Sequence, residues 1–513
     1  MANGQISTAR PQLLAPFIAL FAAASLAVLG LVLVKSPTDV LFLLTAVIGV
    51  VVAFMRPDWF LYFILFTIPI DFARAVHGFP IAVEETYVFA FPLIVLHRLA
   101  GGKVVRRLRL YSVYAWPVLA LFAMTATFYF RGQSRYGYIK GMGRFAESVS
   151  IAWAVLNLAT TWDRLRKMIY SLLGGALVIS VLVFCQIIAR NPTWFVFFVR
   201  GTTSTAFSPT HVGEASFLAM AWTGRGMGLS GPSGTGIFLE MLLPLAFYRL
   251  LVAERKLWHY LMLAVLWGGI LLTFTAVPIL AAFATSMLLV LLMRKFNWRL
   301  VLAVAFTAGV SGFILMQSYV ERKVVSHVKA IRYGELYQRL DLWKMGWRLF
   351  EKHPLVGIGP RVGAYFILRW GQFWQTSALS LMNHPHETYI LIADTFGVPG
   401  LICYGWIWFR ALQLGYRALR DRSLGPRRFE AVAIACAVVA WLIQGFTDSV
   451  LAGGEQLAIL TLLEAAYLLV QADRKDSARA KGVGQRAISQ PGGPGARSNR
   501  PVSALRGPRA AFP

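Results

Sequence analysis

Charged residues and cysteines are scarce in this chain of 513 residues. Only 14% of the residues are Asp, Glu, Lys or Arg and 57% are apolar, whereas a soluble domain is typically about one-quarter charged. The three cysteines, Cys185, Cys403 and Cys436, all fall in apolar segments, so they predict neither a disulfide framework nor a metal cluster. These deficits exclude an ordinary soluble domain and predict a polytopic membrane protein.

The motifs of common soluble enzymes are missing as well. No Gly-rich phosphate loop, His-x-x-x-His metal pair or Gly-x-Ser-x-Gly elbow occurs in a usable context. Lys and Arg outnumber Asp and Glu by 50 to 23, but no nucleic-acid-binding module accompanies this excess. No nucleic-acid partner is therefore expected, and the basic segment after Gln471 is predicted to contact anionic lipid headgroups.

Apolar stretches long enough to cross a bilayer recur along the chain. A transmembrane helix needs roughly 20 mainly apolar residues. We predict an all-α fold, a polytopic transmembrane bundle of about 14 helices, with about 12 as the alternative because some segments are short. The segments are 13–34, 39–55, 59–73, 84–98, 111–130, 146–160, 168–189, 236–252, 258–274, 276–293, 299–318, 388–410, 430–447 and 456–471.

Clusters of Lys and Arg in short loops predict the orientation, because such loops remain in the cytoplasm. With fourteen helices every rich cluster falls on one side, which places both termini in the cytoplasm; the clusters are 97–110, 163–167, 253–256, 293–299 and 417–428. Residues 1–471 then form one transmembrane domain. The Arg-, Gly- and Pro-rich segment 472–513 is predicted to be a disordered basic cytoplasmic tail.

Two polar stretches on the opposite side are too long for ordinary connections, so we predict functional loops. In the first, 190–235, Arg225 precedes the Gly/Ser-rich turn "GRGMGLSGPSGTG" (224–236). Backbone N–H groups of such a turn approach anions closely. The alternative is a flexible turn with a solvated arginine.

The second loop, 319–387, contains Leu340, Trp343, Trp347 and Phe350 at helical spacing. This periodicity predicts an amphipathic helix on the outer membrane surface, followed by the Pro/Gly turn "PLVGIGP". The loop ends in "NHPHE", which places His384, His386 and Glu387 directly before an apolar segment. Within the predicted helices, the ionisable residues Glu240 and Asp394 are expected to be functional or paired.

The order of these segments resembles the O-antigen ligase and O-antigen polymerase superfamily of bacterial membranes. The matching segments are "RGMGLSGPSG" before a helix, "QRLDLWKMGWRLFEKHPLVGIGPRVGAYF" in a large loop, and "HETYILIADTFGVPGL" at the start of a helix. His386, Ile390, Gly397 and Gly400 keep the family's spacing. The chain departs from the family at Glu387, where Asn is usual, and at "FTAVPI" (274–279), where many members have a Ser-Arg pair.

The resemblance implies a GT-C-like glycosyltransferase of the bacterial inner membrane with its active site facing the periplasm. The donor would be a glycan on undecaprenyl diphosphate, with no metal and no cofactor. Polymerisation of O-antigen or exopolysaccharide repeat units is the preferred hypothesis. A ligase acting on lipid A core or another acceptor is the first alternative, and a lipid-linked oligosaccharide flippase is the alternative from another class. Expected partners are the glycan donor and acceptor, membrane lipids and a chain-length regulator or other assembly protein.

The same resemblance assigns roles to individual residues. Arg225 and Arg339 match the family's functional arginines and would neutralise the leaving diphosphate through bidentate contacts. His386 matches the family's histidine and would accept the proton of the acceptor hydroxyl, because a helix start disfavours its charged form. The alternative is that His386 only caps the helix, or that the protein binds glycan without catalysis. Substrate contacts are predicted for Glu387, which also suits orientation of His386, and for Arg361, Tyr365, Trp370 and Trp374.

Overall fold

The computed structural model describes residues 52, 55–70, 73–76, 79–82, 87–100, 109, 112–129, 135–188, 231–252, 257–273, 275–293, 342–359, 387–421, 427–446 and 458–474. Twelve α-helices account for most of these residues. They are α1 (Pro57–Thr67), α2 (Ala90–Ala100), α3 (Ala115–Tyr129), α4 (Arg135–Leu158), α5 (Trp162–Ile188), α6 (Gly231–Val252), α7 (Leu257–Leu272), α8 (Ala276–Met293), α10 (Thr388–Arg420) and α11 (Arg428–Gly445), with α9 at 342–352 and α12 at 458–474.

The predicted helical fold is confirmed, with one small addition. Eleven of the fourteen predicted segments correspond to helices, and α9 lies in the predicted amphipathic stretch. The segments 13–34 and 299–318 lie outside the described residues, as does nearly all of 39–55. Within the described ranges, four helices are long and apolar enough to cross a membrane by length and composition: Trp162–Ile188, Gly234–Val252, Thr388–Arg420 and Arg428–Gly445.

The addition is an antiparallel β-hairpin after α1. Strands β1 (Ala73–Val76) and β2 (Phe79–Ala82) pair Val76 with Phe79, so two residues connect them. A 3-10 turn, Ile68–Ile70, precedes the hairpin and contains Pro69. Proline has no backbone N–H to continue a helical ladder, so the span predicted at 59–73 ends at Thr67.

Helix α11 lies at the centre of the bundle and packs against α6, α8 and α10. Its residues are apolar nearly all round, which suits a helix surrounded by other helices. Trp441 is fully buried, with its ring centroid 4.1 Å from that of Trp408 on α10. A second group forms where α5 packs against α1, α6 and α7.

A buried ion pair fixes the relative direction of α6 and α11. Near the end of α6, Arg249 Nη2 lies 2.6 Å from Glu430 Oε1 near the start of α11. Arg166 Nε, near the start of α5, lies 3.3 Å from Oε2 of the same carboxylate. The two central helices are therefore antiparallel, and the start of α6 faces the end of α11.

Further contacts place other helix ends on the same side of the bundle as this ion pair. Asn157 Oδ1 accepts from the Arg109 backbone N–H at 2.8 Å. Asp473 Oδ2 accepts from Trp162 Nε1 at 3.0 Å and pairs with Arg427 at 2.8 Å. We call this side, formed by the ends of α4, α6 and α12 and the starts of α5 and α11, the basic face. Because α12 continues to residue 474, the predicted start of the tail at residue 472 falls inside the helix.

Candidate active site

One of the predicted site residues lies in the described structure, at the end of the bundle opposite the basic face. Of the eight, Glu387 belongs to the described residues; Arg225, Arg339, Arg361, Tyr365, Trp370, Trp374 and His386 lie outside them. Their structure is therefore not described, but the scaffold to which the chain connects them is. His386 joins α10 through Glu387, and Arg225 precedes the start of α6 by six residues.

Glu387 is the N-cap residue of α10. Its backbone is extended (φ −154°, ψ 125°), and its carboxylate accepts from the backbone N–H groups of Tyr389, at 3.2 Å, and Ile390. These are two of the four N–H groups that the start of a helix leaves without intrahelical partners. Both carboxylate oxygens thus have a structural role, while the predicted contact of Glu387 with substrate stays a prediction.

The capping carboxyl is nearly inaccessible to solvent. Glu387 is only 5% exposed, and this burial raises the pKa of its side chain, although the two backbone hydrogen bonds oppose the shift. Negative charge at this end of a helix is favourable because the helix dipole is positive there. The chain entering α10 from His386 is therefore held at a fixed point.

Tyr389 ties the start of α10 to the end of α11. Its hydroxyl donates to the Leu442 carbonyl oxygen at 2.9 Å, and its ring centroid lies 4.7 Å from that of Phe446. A Cβ placed on Gly445 would lie 3.4 Å from the Tyr389 ring, which is ordinary packing contact. The starts of α6 and α10 consequently lie on one face of the bundle, because both lie at the end of α11.

Helix α10 is broken near its start. Gly397 has a non-helical backbone (φ 66°, ψ −160°), and Pro399 follows two residues later. The break separates residues 388–396, which we call the half-helix, from residues 398–420. Three backbone groups at the break bond outside the helix: the carbonyls of Asp394 and Thr395, and the N–H of Val398.

The turn after α9 satisfies all three groups. The Ile358 N–H donates to the Asp394 carbonyl at 2.7 Å, and the Gly359 N–H donates to the Thr395 carbonyl at 2.9 Å. The Val398 N–H donates to the Pro354 carbonyl at 2.7 Å. We call this contact between residues 354–359 and 394–398 the clasp. It joins the "PLVGIGP" turn to the segment that contains Gly397 and Gly400, two features that the sequence alone does not connect.

Two glycines make the close approach of the clasp possible. Gly357 has φ 70°, and a Cβ on it would lie 2.3 Å from the Thr395 carbonyl oxygen. Gly397 has φ 66°, and its Cβ would lie 2.5 Å from the Pro354 carbonyl oxygen. Both contacts are with backbone atoms, so a side chain at either position would force the two segments apart.

Thr275 and Pro278, from the segment 274–279, lie beside the start of α6. A Cβ on Gly236 would lie 2.7 Å from Thr275 Oγ1 and 2.9 Å from Pro278 Cγ. The Thr273 and Thr275 hydroxyls lie 2.6 Å apart. This hydroxyl pair lies on the same face as the starts of α6 and α10.

Both ionisable residues predicted inside helices are buried. Asp394, on the half-helix, is 1% exposed; its Oδ1 accepts from Thr395 Oγ1 at 3.1 Å, and its Oδ2 has no hydrogen-bond partner among the described residues. Glu240 on α6 is fully buried. Within the described part of the chain, no group of three or more His, Cys, Asp or Glu is placed to hold a metal ion.

Sequence analysis missed the roles of Tyr389, Gly357 and the pair formed by Arg249 and Glu430. The spacing of Gly357 and Gly397 within short Gly motifs is a usable signal for close backbone contact, but it does not name the contacting segment. Arg249 and Glu430 lie at the edges of apolar segments, where charged residues normally face water. Nothing in the sequence marks them as partners.

Comparison with known proteins points to the same family as the order of the sequence motifs. Residues 261–405 match the family model described as O-antigen ligase. The match runs from α7 through α8, α9 and the clasp into α10, and it includes the positions of Arg339, Arg361 and His386, whereas Arg225 precedes it. No curated protein matches the chain significantly.

Proposed function

We propose that this membrane protein, whose central segment is similar to O-antigen ligases, transfers a glycan from undecaprenyl diphosphate to an acceptor sugar at the periplasmic face. The observation that carries the proposal is the shared face of the bundle. The starts of α6 and α10, which follow Arg225 and His386 in the sequence, both lie beside the end of α11. The proposal brings the arginine and the histidine of these two distant loops together at that face.

The proposed reaction needs a base and a group that stabilises the leaving diphosphate. The acceptor hydroxyl oxygen attacks the anomeric carbon of the donor sugar, and the bond from that carbon to the phosphate oxygen breaks. Undecaprenyl diphosphate leaves with the electron pair of that bond, and its charge is balanced by Arg225 and Arg339. The hydroxyl proton passes to His386.

Contacts of the described residues favour His386 as the base. It is joined by one peptide bond to Glu387, whose backbone and side chain are held by the cap of α10. A base must lie within hydrogen-bond reach of the hydroxyl in the bound complex, so a rigid attachment is an advantage. The positive end of the helix dipole disfavours protonation of a nearby imidazole, which keeps it ready to accept a proton.

Polymerisation of repeat units is the preferred form of this activity, and ligation is the second candidate because the matching family is described as O-antigen ligase. Both use the same donor chemistry and differ in the acceptor. A polymerase adds the growing chain to the sugar end of another carrier-linked repeat unit. A ligase adds the finished chain to lipid A core or a similar acceptor.

The activity is tested with purified protein in liposomes containing an undecaprenyl diphosphate-linked repeat unit. One sample contains the repeat unit alone, and another also contains lipid A core. A ladder of longer lipid-linked glycans indicates a polymerase, and glycan attached only to lipid A core indicates a ligase. Movement of the unit across the bilayer without new glycosidic bonds contradicts the proposal and indicates a flippase.

The diphosphate assignment is tested by replacing Arg225 or Arg339 with Lys. Lysine keeps the positive charge but loses the planar fork that binds two oxygens together. We expect the initial rate to fall about tenfold or more for either variant, since bidentate contacts of this kind contribute roughly 1.5 to 3 kcal/mol. An unchanged rate in both variants contradicts the assignment.

A further inference from the structure

The clasp joins the two ends of the segment that carries most of the predicted site. From the chemistry of its contacts we infer that Gly357 and Gly397 are positioning residues for glycan transfer, an inference that rests on the proposed function. Neither residue would touch substrate. They would act by fixing where the chain leaves the scaffold at Gly359 and returns at Glu387.

The first support is the set of backbone hydrogen bonds across the clasp. A break in an apolar helix normally leaves N–H and C=O groups that are costly to bury without partners. At the clasp, residues 354–359 supply a partner to the carbonyls of Asp394 and Thr395 and to the N–H of Val398, at 2.7 to 2.9 Å. Separation of the two segments would expose all three groups at once, so the clasp is held as a unit.

The second support is the reciprocal packing of the glycines. Gly357 approaches the backbone of Thr395, while Gly397 approaches the backbone of Pro354 and Leu355. Each glycine also has a positive φ, a backbone conformation that residues other than glycine rarely adopt. The conformation and the contact therefore both require glycine at these two positions.

The third support is the fixation of the half-helix at both ends. At its start, Glu387 caps it and the Tyr389 hydroxyl bonds to α11. At its other end the clasp holds the Asp394 and Thr395 carbonyls. The eight-residue rise from Glu387 to Thr395 is about 12 Å at 1.5 Å per residue. The half-helix thus sets a fixed separation between the two points from which segment 360–386 extends.

A fixed separation matters because transfer requires the base and the diphosphate-binding groups to meet the donor in one geometry. A displacement of about 1 Å from a distant substitution lowers rates by on the order of 100-fold. Alanine at Gly357 or Gly397 would move the attachment points by such a distance to relieve contacts below 3 Å. We therefore expect turnover to fall while donor binding changes little.

The experiment compares Gly357→Ala and Gly397→Ala with Gly405→Ala in liposomes containing the lipid-linked repeat unit. Gly405 is a matched control, since it lies on the same helix and a Cβ there meets nothing within 4 Å. Initial rates over a range of donor concentrations give kcat and KM. The expected result is a fall of about 100-fold in kcat for the clasp variants with KM within about threefold, and a control within about twofold of wild type.

Several results would overturn the inference. Equal kcat in wild type and both clasp variants would do so, as would an equal loss in the Gly405→Ala control, because that would indicate general sensitivity of α10. A rise in KM with unchanged kcat would indicate a binding role instead. A wild type that makes no product contradicts the proposed function itself, and the inference falls with it.

Hydrogen exchange on the wild type keeps the test independent of how well the variants fold. We expect the amides of Ile358, Gly359 and Val398 to exchange as slowly as those in α11, because each is bonded at the clasp. Exchange as fast as that of exposed backbone would show that the two segments separate readily. A clasp that opens in this way cannot position the site, and the inference would be abandoned.

Discussion

At the scale of single residues, Glu387 shows how an acidic side chain can cap a helix where the resemblance led us to expect Asn. Asn is among the preferred N-cap residues because its side-chain oxygen accepts from the first turn. Glu387 performs the same function with both carboxylate oxygens. Its negative charge also interacts favourably with the helix dipole. This cap therefore keeps the start of α10 in place beside His386.

Removal of the cap should destabilise the protein measurably. Glu387→Ala leaves the N–H groups of Tyr389 and Ile390 without their side-chain acceptor, and we expect the free energy of unfolding to fall by about 1 kcal/mol. Glu387→Asn is the matched control and should remain close to wild type. Thermal unfolding in detergent measures both. Equal midpoints for wild type and Glu387→Ala would contradict the capping role.

Ionisation of the Glu387 carboxyl should also make the stability of the protein depend on pH. Burial raises the pKa of Glu387 in the folded protein above its ordinary value of 4.5. Its stabilising contribution is then full below that value and declines as the pH rises through the folded pKa. Wild type should lose stability relative to Glu387→Gln as the pH rises above 4.5, as measured by thermal unfolding at several pH values. A difference that stays constant with pH, or one that grows in the opposite direction, would contradict this.

At the scale of helices, the contact between α6 and α11 depends on one buried ion pair. Arg249 and Glu430 are 9% and 1% exposed at their side chains, and Arg249 also lies over the ring of Tyr170, 5.0 Å from its centroid. Such a pair mainly fixes orientation, because the penalty for burying two charges offsets much of their attraction. It determines which end of α11 meets the start of α6, and hence which loops share a face.

Loss of one partner should be far more damaging than loss of both. Glu430→Gln leaves the Arg249 charge buried without its counter-ion, and we expect the free energy of unfolding to fall by about 3 to 5 kcal/mol. The double variant Arg249→Met, Glu430→Gln should recover part of that loss. Arg166→Ala, whose side chain is 42% exposed, should change stability by about 1 kcal/mol or less. A lower midpoint of thermal unfolding for Arg166→Ala than for Glu430→Gln would contradict this assignment.

The sequence predicts the helices well because long apolar runs have few alternatives in a membrane protein. It does not predict the break in α10, although Gly397 and Pro399 lie in the predicted segment 388–410. The local conformational preferences of Gly and Pro show only that a break in the helix is tolerated there. The actual break depends on backbone bonds from residues 354–359, about forty positions earlier, and backbone pairing of this kind leaves no side-chain pattern to detect. Seven of the eight predicted site residues lie outside the described structure, so their roles stay predictions.

At the scale of the whole molecule, the two faces of the bundle have different characters. The basic face brings together the ends of α4, α6 and α12 with the starts of α5 and α11, and it contains Arg166, Arg249 and Arg427. The starts of α6 and α10, which follow Arg225 and His386 in the sequence, lie on the opposite face. This separation is what a transfer reaction confined to one side of a membrane requires.

The proposed orientation is tested by labelling single cysteines in a variant without Cys185, Cys403 and Cys436. Lys352, in α9, and Arg420, at the end of α10, are both exposed. In intact spheroplasts, an impermeant thiol reagent should label Lys352→Cys and leave Arg420→Cys unlabelled, because the basic face is predicted to be cytoplasmic. Permeabilised membranes should allow both to react. Labelling of Arg420→Cys in intact spheroplasts would reverse the proposed orientation.

The most direct test of the central claim is glycan transfer by the purified protein and by His386→Ala in liposomes with an undecaprenyl diphosphate-linked repeat unit, in the presence of EDTA. We predict that wild type forms longer lipid-linked glycans, and that the rate of His386→Ala is lower by about 100-fold to 10,000-fold, the range expected for loss of a general base. An equal rate in the variant, or loss of wild-type transfer in EDTA, would contradict a metal-independent transferase that uses His386.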